Sequence, residues 1–164
     1  TTYNVYDEPV VVSETAGSVV RTTTTGYDAA GREISSGVAV SPTGADGAAT
    51  PAQAFAYDPA KGLPTTTSDS TGHTLTTSYD SLGRVHTYTD ATGATTTTAY
   101  DIDGRPISVT DPKGTTSYTY DGVAGEHRGL VTSETDSLAG SFTATYDDDG
   151  HLATDGYPGG LTAT

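Results

Sequence analysis

The chain has 164 residues, seven basic against 21 acidic side chains, a formal charge of −14, 33% hydrophobic residues, two Phe and no Cys, Met or Trp. Without cysteine there are no disulfides, thiolate metal sites or thiol nucleophiles, although the compartment stays open; the charge repels phosphate backbones and anionic membranes, which argues against nucleic-acid binding, and no run of 18 apolar residues predicts membrane insertion. A chain of this length could bury a sizeable core, but this composition allows a thin one built largely from tyrosine.

Tyr-Asp pairs begin at Tyr6, Tyr27, Tyr57, Tyr79, Tyr100, Tyr120 and Tyr146, with spacings of 21, 30, 22, 21, 20 and 26 residues. A period near 21 with two insertions is an internal repeat. The first pair, Tyr6-Asp7-Glu8-Pro9, lacks a Gly-Arg, although Val10, Val11 and Val12 predict a strand and Glu14-Thr15-Ala16-Gly17 a turn. Tyr27-Asp28-Ala29-Ala30-Gly31-Arg32 is regular, and the Gly-, Ala-, Pro- and Thr-rich segment that follows reads as a surface loop over residues 37–52. The third turn, Tyr57-Asp58-Pro59-Ala60-Lys61-Gly62-Leu63, has one extra residue and puts Leu63 where Arg stands elsewhere.

Residues 79–105 state the rule twice. Tyr79-Asp80-Ser81-Leu82-Gly83-Arg84 leads to a strand, an Asp90-Ala91-Thr92-Gly93 turn, a second strand and Tyr100-Asp101-Ile102-Asp103-Gly104-Arg105. Asp at the first position of a type I turn accepts the N–H two residues on, and a glycine able to take positive φ closes the hairpin. Asp111 with Gly114 repeats the pattern, and Tyr120-Asp121 precedes a longer loop over residues 122–129 that holds Glu126, His127 and Arg128. The last unit, Tyr146-Asp147-Asp148-Asp149-Gly150-His151, carries His for Arg and runs into a turn-rich end. Between turns the residues are mostly Thr, Val, Tyr, Ile and Ser, types suited to a pleated surface. The expected fold is all-β, a single array of about seven repeated antiparallel hairpins over residues 1–164. Such a sheet should twist and spiral as part of a shell or barrel. Stepping back by two from each Tyr puts Leu75, Tyr118, Phe142 and Phe55 on one face and Thr and Ser on the other.

Each of Arg32, Arg84 and Arg105 should lie across the hairpin from its turn's Tyr-Asp, stacking on the ring or pairing with the carboxylate. The acidic turns at Asp101-Asp103-Gly104 and residues 147–150 lack the later Glu and flanking ligands of an EF-hand, and His73, His86, His127 and His151 lack ligand spacing. There is no Gly-x-Ser-x-Gly elbow and no base placed beside a nucleophile, so neither an enzyme nor a cofactor is expected.

The repeated YDxxGR…DxxGxxTxxxYD pattern, clearest over residues 79–121, resembles the RHS or YD repeats. The resemblance implies a hairpin sheet that spirals into a hollow shell, as in bacterial polymorphic toxins, toxin-complex cocoons and teneurins, and in bacterial members a shell that encloses a toxin domain. It places the chain in a secreted or cell-surface bacterial protein, of which seven repeats would be part of a wall. Asp111-Pro112-Lys113-Gly114 has the letters of the family's self-cleavage site but sits at an ordinary repeat turn. Two other functions fit the residues: an envelope module that binds glycans through exposed aromatics, and a filament or homo-oligomer joined through unpaired sheet edges. In every case the nearest partners are neighbouring repeats of the same parent chain.

Overall fold

A computed structural model describes residues 1–43, 50–122 and 129–163. Its described residues form fifteen antiparallel strands and no helix, with the strand order following the chain order. They divide into two compact units, Thr1–Gly83 with Thr89–Gly93, and Arg84–Tyr88 with Ala94–Thr164.

The first unit holds β1 (Thr2–Tyr3), β2 (Pro9–Ala16), β3 (Val19–Tyr27), β4 (Glu33–Ser41), β5 (Thr50–Tyr57), β6 (Pro64–Asp69) and β7 (Thr74–Tyr79). The loop expected over residues 37–52 is shorter than the sequence suggested. Residues 37–41 continue β4, which pairs with β3 from Tyr27↔Glu33 to Val20↔Ser41, and β5 begins at Thr50. Alternating Val38 and Val40 supply β-branched residues that extend the strand despite the small residues between them. Residues 44–49 of that loop, and 123–128 of the second, lie outside the described residues.

The second unit holds β8 (Val85–Thr89) as far as Tyr88, β9 (Thr95–Tyr100), β10 (Pro106–Thr110), β11 (Thr115–Tyr120), β12 (Val131–Asp136), β13 (Gly140–Tyr146), β14 (Leu152–Tyr157) and β15 (Leu161–Ala163). Six strands end on the Tyr of a Tyr-Asp pair, and the next strand begins one residue beyond the Arg position. Beside five of these turns the register slips by one residue, as between Gly26 and Tyr27, Ala56 and Tyr57, or Thr145 and Tyr146. These are β-bulges, which bend and twist a hairpin locally.

The alternation is clean in β13, where Phe142, Ala144 and Tyr146 are half-buried and Ser141, Thr143 and Thr145 exposed. The thin core is a correction: among the described residues no side chain, apolar or polar, is buried. The total accessible surface is 10498 Å², against roughly 7,600 Å² for a globular chain of this mass. With too few large apolar residues to shield a layer, the fold is held by ladder hydrogen bonds and by contacts between adjacent hairpins.

Candidate functional site

The repeated turn is the most organised chemistry in the chain. Asp28 Oδ1 accepts the N–H of Ala30 at 2.9 Å and of Arg32 at 3.0 Å, while Gly31 N–H donates to the Asp28 carbonyl at 3.1 Å. The same carboxylate-to-N–H geometry recurs at Asp58, Asp69, Asp80, Asp90, Asp111, Asp136 and Asp147. Asp101 Oδ1 holds the Arg105 N–H at 2.8 Å and Asp121 Oδ1 the Leu130 N–H at 2.8 Å. Gly83 and Gly93 donate to the carbonyls of Asp80 and Asp90 at 3.1 and 3.0 Å. The closing glycine takes φ of 76° at Gly31, 87° at Gly104 and 85° at Gly150, a region in which a side chain would be strained. Gly114 has a different reason, because its φ is not positive and Ser137 occupies the space a Cβ would need. The Ser137 hydroxyl there accepts the Thr115 N–H at 3.0 Å.

These bonds set the carboxyl titrations. The N–H of Arg32, then its guanidinium, holds Asp28 below the ordinary 3.8. The Lys61 N–H does the same for Asp58, the Ala139 N–H for Asp136 and the His151 N–H for Asp147. At Asp101 partial burial works the other way but is outweighed by the Arg105 N–H and guanidinium.

The first repeat corrects the Tyr6-Asp7 assignment. β1 ends at Tyr3 and Asn4 takes the aspartate position, its Oδ1 accepting Tyr6 N–H at 2.9 Å and Glu8 N–H at 3.0 Å. Asp7 stands in the glycine position with φ 65°, and Glu8 in the arginine position. An Asn side chain forms the same turn as Asp, and Asp tolerates left-handed backbone better than most residues, so the turn closes without either signature letter.

The arginines join consecutive repeats. Arg32 Nε donates to Asp28 Oδ2 of its own turn at 2.7 Å, but its guanidinium lies 4.5 Å over the ring of Tyr57, the tyrosine of the following repeat. Arg84 covers Tyr100 at 4.5 Å and Arg105 covers Tyr120 at 4.7 Å. Arg105 also binds Asp101 at 2.7 Å and Asp103 at 2.9 Å, and Arg84 Nη1 donates to the Asp101 carbonyl at 3.1 Å. Each repeat tyrosine reaches back the same way. Its hydroxyl donates to the carbonyl one residue past the arginine position: Tyr27 to Pro9, Tyr57 to Glu33, Tyr79 to Pro64, Tyr100 to Val85, Tyr120 to Pro106 and Tyr146 to Val131, at 2.7 to 3.3 Å. Burial first and the Asp101 carboxylate second raise the Tyr120 phenol, so it remains the donor. The sequence reading had each arginine stack on its own turn's Tyr or pair with its own turn's Asp. The structure keeps the own-turn Asp at Arg32 and Arg105, and at all three arginines the ring is that of the next repeat's Tyr.

Two side-chain clusters bring histidines that the sequence left scattered next to turn aspartates. In the turn Asp69-Ser70-Thr71-Gly72-His73, Thr71 Oγ1 contacts Asp69 Oδ1 at 2.6 Å and His73 Nδ1 at 2.7 Å, and His73 Nδ1 also contacts Asp69 Oδ2 at 3.1 Å. A relay needs the nucleophile and the carboxylate on opposite ring nitrogens. Here both meet Nδ1, so the group braces a turn. Asp147, Asp149 and His151 bring one ligand atom each within 4.8 Å of one another, all exposed. Glu126, His127 and Arg128 lie outside the described residues. At Asp111 the carboxylate accepts the N–H groups of Lys113 and Gly114 at 2.8 and 3.0 Å, the role of any other repeat turn.

Comparison with known proteins agrees with this geometry. The RHS Repeat family model matches residues 79–116. The structure of TcdB2-TccC3 without its hypervariable C-terminal region is similar over 83% of this chain and 7% of its own, with 19% identity and a TM-score of 0.56. A second, TcdB2-TccC3-TEV, covers 88% of this chain and 10% of its own at 15% identity and a TM-score of 0.42. No curated protein matches the sequence. Residues 79–116 match the RHS repeat, and the same hydrogen-bonded turn geometry recurs along the chain from Asn4 to His151.

Proposed function

We propose that this array is a non-catalytic segment of the wall of a secreted or cell-surface bacterial RHS-type protein, and that the completed wall encloses or presents a toxin or effector domain. The observation that carries the reading is the repeat-to-repeat ladder. Six tyrosine hydroxyls reach from one strand to the one before it, and three guanidiniums from one repeat to the next. These recurring polar contacts hold neighbouring strands and repeats side by side, which suits a barrier. The fold shared with TcdB2-TccC3 supports a long repeat sheet, since this chain spans 7% of that one.

Imaging the full-length parent by negative stain, with mass spectrometry of its termini, tests the proposal. The expected result is a hollow particle with a separate C-terminal piece retained inside. An extended fibre without enclosed polypeptide would overturn it in favour of adhesion or assembly.

A further inference from the structure

We propose that the aromatic-acidic face of β11–β15 binds an arginine-bearing polypeptide segment, independently of whether the parent forms a shell. The strand registers line up one row across this part of the sheet. Tyr118 stands opposite Glu134, Glu134 opposite Phe142, and Tyr157 opposite Leu161, while Phe142 meets Tyr157 edge-on at 6.2 Å and 80°. Directly opposed side chains on one face lie about 5 Å apart, so Glu134 projects between two aromatic rings. Asp155, opposite Ala144, places a second carboxylate one row along and holds up the Tyr157 phenol by hydrogen bonding. Val131, Phe142, Tyr146 and Leu152 line a shallow depression that Glu134 and Asp155 rim.

The occupant follows from charge and from the chain's own precedent. Residues 131–163 hold six carboxylates and no Lys or Arg. Elsewhere this protein answers a tyrosine beside a carboxylate with a guanidinium: Arg32 joins Asp28 to Tyr57, and Arg105 joins Asp101 to Tyr120. In the repeat that leads into β12 the arginine position is Leu130, so among the described residues no such cation is built in. A planar guanidinium stacks on a ring face and forks to a carboxylate at once, which an ammonium does poorly. Glu134 is exposed and has no ion pair among the described residues, so it is available for such a contact.

The test is titration of the full chain with a fluorescent Gly-Arg repeat peptide, read by anisotropy, with a Gly-Lys peptide as comparison. Glu134→Gln and Phe142→Leu should each weaken Gly-Arg binding about fivefold. Asp148→Asn, an equal charge change on an exposed turn, should alter it by less than about twofold. Equal losses from Glu134→Gln and Asp148→Asn would mean bulk charge attraction and overturn the proposal. Absence of binding, equal affinity for Gly-Lys, or displacement by calcium or a neutral oligosaccharide would overturn it too. Glu134→Gln changes no packing, so it decides the matter even if Phe142→Leu fails to fold.

Discussion

Tyr57, Tyr100 and Tyr120 each do two jobs with one side chain: the ring lies under the preceding arginine and the hydroxyl fastens to the carbonyl just beyond it. Tyr57→Phe keeps the ring under Arg32 but leaves the Glu33 carbonyl without its 2.7 Å donor. It should lower unfolding free energy by about 0.5–1.5 kcal/mol, measured by chemical denaturation. Arg32→Leu should cost less than Arg32→Ala, because Leu63 occupies the same position one repeat later, with its Cδ1 against Gly83. Equal losses would show that the guanidinium contributes by charge rather than by covering the next turn. Gly104→Ala forces a side chain into φ 87° and should destabilise by about 1–3 kcal/mol. The turn residues were legible because Asp and Gly are chosen by backbone chemistry within four residues. The tyrosine that each arginine meets was not, because that partner depends on how one hairpin stacks on the next.

At the scale of the hairpin, the carboxylate turns make stability pH-dependent with a definite sign. Asp28, Asp58, Asp69, Asp101, Asp136 and Asp147 all titrate lower in the folded chain than the ordinary 3.8. Thr71's hydroxyl and then His73 account for most of it at Asp69. The folded state therefore binds fewer protons than the unfolded one in acid. Their contribution is full above the unfolded value and is lost as pH falls through the lowered folded values. The melting temperature should be nearly level between about pH 5 and 7 and fall steeply below about pH 4. Asp69→Asn should flatten part of that fall. In the first hairpin Asp7 holds φ 65° where other repeats use glycine, and Asp7→Gly should stabilise by ~0.5 kcal/mol, the relief of backbone strain exceeding the entropy glycine adds to the unfolded chain. Sequence missed this turn because Tyr6-Asp7 spells the motif, whereas Tyr3-Asn4 performs it.

For the whole molecule, the all-β class and antiparallel order could be read from a period near 21 residues. The absence of buried side chains could not, since the low apolar fraction implied a thin core and the sheet has none among its described residues. Denaturant sensitivity scales with surface newly exposed, so the slope of the unfolding curve should fall below that of a globular protein of equal length. A slope in the globular range would mean that one face is covered in solution. The ladder has a further property, which is direction. Each of the six repeat-tyrosine bonds runs from the end of a later strand to a carbonyl at the start of the strand before it. As the polypeptide leaves the ribosome, each such strand therefore meets an acceptor that is already in place. Assembly can proceed from the N-terminal side without waiting for sequence still unmade, like courses laid on a finished footing.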